Sequence, residues 1–95
     1  MRIFMRVEIP VEAGNAAIAS GALGKVVQAF SDKFKPEALF FAAGDGMRTM
    51  YSVFDMAEAN DIPSVAEPFF TELKARIEWQ PCMDLADLQA GLAKL

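Results

Sequence analysis

Four polar side chains stand out for the chemistry they could share: Arg6, Glu8, Tyr51 and Glu78. An arginine between two glutamates can orient an anionic or enolic ligand. One carboxylate can then move a proton while a tyrosine hydrogen-bonds a developing oxyanion. The same residues also read as an ion pair across neighbouring strands and a tyrosine at an interface, and both readings stand. There is no histidine in the chain, which removes the commonest general base, metal ligand and proximal haem ligand. Asp and Glu alone can hold Mg2+ or Ca2+, but no loop gathers them at ligand spacing. Neither a metal nor another cofactor is therefore expected.

Other residues carry weaker signals. Gly21-Ala22-Leu23-Gly24-Lys25 shares pieces of a phosphate loop but lacks its full pattern and a strand directly before it. Cys82 has no histidine to activate it and reads as a small strand residue. Trp79 suits core or dimer packing better than a substrate platform, and Asp55 suits a backbone bond in the turn that follows its strand.

Whether the four polar groups meet depends on strand alternation. Arg2 to Ile9 alternates, with Ile3, Met5, Val7 and Ile9 on one face and Phe4, Arg6 and Glu8 on the other; Pro10 ends it. Asp45-Gly46 joins two further strand-like runs, Glu37 to Ala43 and Met47 to Met56. Asp-Gly tolerates the positive φ angles of a primed hairpin turn. A two-residue turn sets Gly44 opposite Met47, Ala42 opposite Thr49, Phe41 opposite Met50, Phe40 opposite Tyr51, and Leu39 opposite Ser52. Leu39, Phe41, Met50 and Phe54 then share one face; Phe40, Ala42, Thr49, Tyr51 and Val53 share the other. Arg76 to Met83 is the fourth strand, with Ile77 and Trp79 towards the core and Glu78, Gln80 and Cys82 on the open side. Pro81 marks it as an edge.

Helical patterns fill the gaps. Val11 to Gly24 is rich in Gly and Ala, with Asn15 or Ser20 able to cap a helix, and Leu23, Val26, Val27, Phe30 and Phe34 recur at helical spacing up to Pro36. A second helix begins near Asn60 or Asp61 and buries Ile62, Val65, Ala66, Phe69 and Leu73; Pro68 is expected to kink it or displace its start. Asp84 caps a last helix bearing Leu85, Leu88, Leu92 and Leu95, a stripe suited to its own domain or a dimer mate. The order is that of an α+β, ferredoxin-like βαββαβ fold with an antiparallel four-stranded sheet and a C-terminal helix, in one domain over residues 1–95.

The open face then mixes rings with charges: Phe4, Phe40, Thr49 and Tyr51 beside Arg6, Glu8, Glu78 and Gln80. Water rarely faces so many rings and a dry core rarely holds so many charges, so a partly buried interface or ligand cavity is expected. Composition agrees, since 54% of the residues are hydrophobic, more than one small core hides easily. A net charge of −4 excludes the basic stripe of a nucleic-acid binder and simple docking on anionic membranes. A single cysteine gives no internal disulfide and no segment reads as a signal peptide or membrane span, which makes the cytoplasm the default location.

The segments Met5-Arg6-Val7-Glu8-Ile9-Pro10, Phe54-Asp55-Met56 and Glu67-Pro68-Phe69-Phe70, set in this element order, resemble an uncharacterised small bacterial family of the dimeric α/β-barrel fold. More distantly the chain resembles the antibiotic-biosynthesis-type monooxygenases and muconolactone isomerases of that group. The resemblance implies a homodimer whose sheets enclose a lumen for a small organic ligand, and the missing histidine departs from the haem-degrading members. Two functions follow as expectations: a small-molecule-binding dimer, with a cofactor-independent enzyme as one form of it, or a non-catalytic structural or regulatory dimerisation module.

Overall fold

A computed structural model describes residues 1–95. Its first strand, β1 (Arg2–Ile9), alternates between buried and half-buried side chains along its whole length. Three further strands, β2 (Ala38–Gly44), β3 (Met47–Asp55) and β4 (Arg76–Pro81), complete an antiparallel sheet in the order β2-β3-β1-β4. Four helices are added: α1 (Val11–Ser20), α2 (Ala22–Phe34), α3 (Ile62–Leu73) and α4 (Leu85–Leu92). This is the ferredoxin-like arrangement with a C-terminal extension.

The hairpin forms as its turn residues require. Asp45 and Gly46 have φ of 52° and 76°, the paired positive angles of a primed turn. Every cross-strand pair expected from it is present, from Gly44 opposite Met47 to Leu39 opposite Ser52. Ile3, Met5, Val7, Ile9, Met50 and Phe54 consequently face the helices and pack against Val26, Phe30, Val65, Phe69 and Leu73. Phe30 meets Phe54 edge-on at 5.2 Å between ring centres, and Phe34 meets the same ring at 5.7 Å.

The helices depart from expectation in several places. The first helical stretch is two helices, because Gly21 takes a left-handed φ of 83° between them. Neither Asn15 nor Ser20 caps its start, which lies directly after Pro10. Asn15 instead accepts a hydrogen bond from Arg48 Nη2 at 3.0 Å, tying α1 to the start of β3, while the Ser20 hydroxyl accepts from the Ala22 N–H at 3.2 Å. α3 begins where expected, with Asp61 at its N-cap position, but Asn60 and Asp61 lie in a 3-10 turn (Ala59–Asp61) and the Asp61 side chain accepts from the Glu58 N–H instead of capping α3. Pro68 does not displace the start of α3; the helix runs unbroken, with Pro68 and Ser64, whose carbonyl loses its usual donor, both exposed. Ile62 is also exposed rather than part of the buried stripe.

One core residue is polar. Ser52 is 1% exposed and its hydroxyl has no hydrogen-bond partner. Replacing it with alanine removes a desolvated group at little packing cost, so Ser52→Ala should leave stability unchanged or raise it by up to about 1 kcal/mol in urea unfolding. Phe54→Ala, by contrast, empties the centre of the aromatic cluster and should cost about 3–5 kcal/mol in the same assay.

Candidate functional site

No helix covers the second face of the sheet, and the register arranges its side chains in rows. Phe40, Tyr51, Arg6 and Glu78 form one row across all four strands. Ala42, Thr49, Glu8 and Arg76 form the row beside it, and Ala38, Val53, Phe4 and Gln80 the row on the other side. Arg6 and Tyr51 thus share a face as alternation requires.

The charges form a square. Arg6 Nη2 donates to Glu78 Oε2 at 2.6 Å, and Arg76 Nη2 donates to Glu78 Oε1 at 3.1 Å. Glu8 Oε1 lies 3.2 Å from Arg6 Nε. This last contact is an ion pair without hydrogen-bond alignment, so the buried Arg6 Nε–H has no acceptor. Two cations and two anions alternate around these four positions, which carry no net charge; three sides are ion pairs and the fourth, between Glu8 and Arg76, is not. Arg76 is the member that sequence reasoning missed. Its signal was available, since it lies two residues before Glu78 and so shares its face.

A hollow of about 650 Å³ opens beside the square, bordered by Phe4, Arg6, Tyr51, Ile77, Glu78, Trp79 and Gln80. Five of the eight expected ligand-binding residues are among these. Glu8 lies behind Arg6, its side chain 14% exposed. Thr49 is buried and its hydroxyl donates to the Met47 carbonyl at 3.1 Å. Phe40 stands outside the hollow with 69% of its surface exposed. Phe4 and Tyr51 form a tilted pair at 6.4 Å. The Tyr51 hydroxyl reaches across to β2, where a side chain at Gly44 would begin 3.1 Å from it. Glycine at 44 leaves room for that reach.

The remaining candidates are dispersed. Ile77 and Trp79 pack against the core as expected while also bordering the hollow. Cys82 is a half-buried free thiol. Asp55 accepts from the Met1 ammonium at 2.9 Å rather than from a backbone group in the following turn. Gly21 to Lys25 spans the α1–α2 junction. No three His, Cys, Asp or Glu side chains converge as a metal cage.

A second ionic cluster fixes the base of α4. Arg2 Nε donates to Glu37 Oε1 at 2.7 Å, its Nη1 donates to Asp87 Oδ2 at 2.7 Å, and its Nη2 lies 3.4 Å from Asp84. The Glu37 bond and charge, with Asp84 and Asp87 adding theirs, hold the guanidinium protonated beyond its ordinary range. Asp84 caps α4 by accepting from the Asp87 N–H at 2.8 Å. That bond, helped by the charge of Arg2 and opposed by desolvation, lowers the Asp84 pKa.

Compared with known proteins, the chain matches no family model and no curated protein.

A carboxyl group with a lowered folded pKa stabilises the fold above its unfolded value, and that contribution disappears as pH falls through the folded value. Acidification below about pH 3.8, the ordinary value for Asp84, should therefore loosen α4. Hydrogen exchange at the Leu88 amide, which donates to the Asp84 carbonyl, reports this directly. Asp84→Asn keeps a capping side chain and should flatten the acid step.

Proposed function

We propose that the uncovered face pairs with a second copy of the chain and encloses a small, uncharged organic molecule between the two sheets. One observation carries the reading: a ligand-sized hollow lies on an uncovered face, bordered by rings on one side and by the Arg6–Glu78 ion pair on the other. Because Glu8 and Glu78 already balance Arg6, an anion would have to displace a carboxylate, whereas a neutral molecule can sit against the rings and leave the ion pairs intact. With an enolisable ligand, Glu78, the carboxylate that borders the hollow, moves the proton, and the Tyr51 ring helps to exclude water, which is cofactor-independent chemistry. The dimeric α/β-barrel group offers the same arrangement by analogy of element order.

The neutral charge square also supports a second reading, a dimerisation module with no ligand, in which the ion pairs only set the register between two sheets.

Sedimentation of the full chain should give a dimer. In a two-dimensional NMR titration with neutral aromatic ketones, phenols and lactones, the Arg6 Nε–H and the amides of Tyr51 and Glu78 should shift together. The double variant Arg6→Met, Glu8→Leu should remain dimeric and lose those shifts. A dimer in which no probe perturbs these signals leaves only the dimerisation module, and a monomer at high concentration removes both readings.

A further inference from the structure

The C-terminal helix has an apolar stripe and nothing beneath it. No residue of α4 is buried, and Leu85, Leu88 and Leu92 are 68%, 41% and 55% exposed. Their spacing puts them on one face. A helix of eight residues is too short to persist on its own in water, so this stripe needs a cover. The molecule measures 51 × 28 × 17 Å with a radius of gyration of 14.8 Å, against about 12 Å for a compact chain of this length. Its surface of 6138 Å² exceeds the roughly 5,400 Å² of a compact protein of this mass. The excess approaches the roughly 800 Å² that each partner contributes to a standard interface.

The same chain contains a matching vacancy. An apolar groove of about 430 Å³ lies between α2 and the edge strand β2, lined chiefly by Ile9, Leu23, Val27, Phe41, Met50 and Phe69. Phe41 at its mouth is 59% exposed.

The arm cannot reach this groove in its own chain. Arg2 clamps the base of α4 at the corner where β1 begins and β4 ends, whereas the groove lies where β1 ends, beside the opposite edge. The strand from Arg2 to Ile9 spans about 23 Å, and α4 is about 12 Å long. Arg2 shares the face of Phe4 and Arg6, so the arm leaves on the uncovered side of the sheet. A two-fold axis along the diagonal of two face-to-face sheets exchanges these two corners and crosses the strands near a right angle, a regular mode of sheet packing. Sheets in such a pair lie about 10 Å apart, so α4 brings the C-terminal part of its stripe to the partner's β2 edge, where Phe41 stands at the mouth of the groove.

From this we infer that α4 is an exchanged arm: its leucine stripe fills the groove between α2 and β2 of a second copy, and the second copy's arm fills the first. The placement rests on the face-to-face pairing proposed above, but the docking of leucines in the groove does not require any ligand. Exchange is reciprocal and closes the dimer, leaving no free stripe or groove to build a fibre.

The test uses the full chain with p-benzoylphenylalanine in place of Leu88. In an equal mixture of 14N- and 15N-labelled copies, irradiation should link position 88 of one isotope to Leu23, Val27 or Phe41 of the other. Linkage elsewhere, or only within one copy, overturns the inference. Independently, Leu88→Glu with Leu92→Glu should raise the dimer dissociation constant about a hundredfold while leaving the melting of the diluted monomer unchanged. If that constant is unaffected while Phe40→Glu disrupts the dimer, the arm proposal fails and the face pairing survives. A wild-type chain that stays monomeric defeats both.

Discussion

Everything in this molecule depends on the register of the β2–β3 hairpin, which the positive-φ pair Asp45-Gly46 sets. A shift by one residue would put Met50 and Phe54 on the uncovered face and send Thr49, Tyr51 and Val53 beneath the helices. Phe54 would then leave its edge-on contacts with Phe30 and Phe34. The tyrosine hydroxyl would face burial without a partner. The aromatic cluster and the primed turn favour the same pairing, one from tertiary packing and one from local backbone geometry. Agreement between these two levels is what makes the pairing unique.

The two faces of the sheet solve different problems. Beneath the helices, aliphatic and aromatic side chains exclude water almost completely, with Met5, Val7, Phe54 and Leu73 at 0% exposure. On the other side the rings are only half covered and the charges neutralise one another at short range. Surface ion pairs of this kind add little stability in water. Their value lies in shape, since the run of three ion pairs orients Arg6 and Glu78 at the border of the hollow. The same logic operates at Arg2, where one guanidinium meets three carboxylates and fixes where α4 begins.

Much of this was legible in the residue order. Period-two alternation in Arg2–Ile9 separates the faces without knowledge of any partner strand, and Asp-Gly supplies the pairing. Asp84 is equally readable because a cap and its helix are local. The expectations that failed are those that long-range contacts decide. Asn15 looks like a cap until Arg48, thirty-three residues away, takes its side chain. Asp55 looks like a turn residue until the Met1 ammonium arrives from the adjacent strand. Pro68 leaves the start of α3 in place because Ser64, whose carbonyl it leaves unserved, is exposed, and exposure is a tertiary property. Sequence reasoning also gave Thr49 a place in the ligand site on parity alone, whereas its hydroxyl is used locally on Met47.

The leucines of α4 show why an apolar pattern identifies a buried surface without identifying what buries it. Their spacing is that of a helix packed on an apolar surface, which suits its own domain or a dimer mate equally well. Reach decides otherwise. Arg2 holds the start of the helix at one corner of the sheet, and the nearest apolar vacancy of suitable size lies across the diagonal. A chain that carries both a stripe and a groove, and keeps them too far apart to meet, stays incomplete by itself. In the dimer proposed above, a second copy would resolve both defects at once and cover the mixed face between them, which ties the arm, the groove and the hollow to one test.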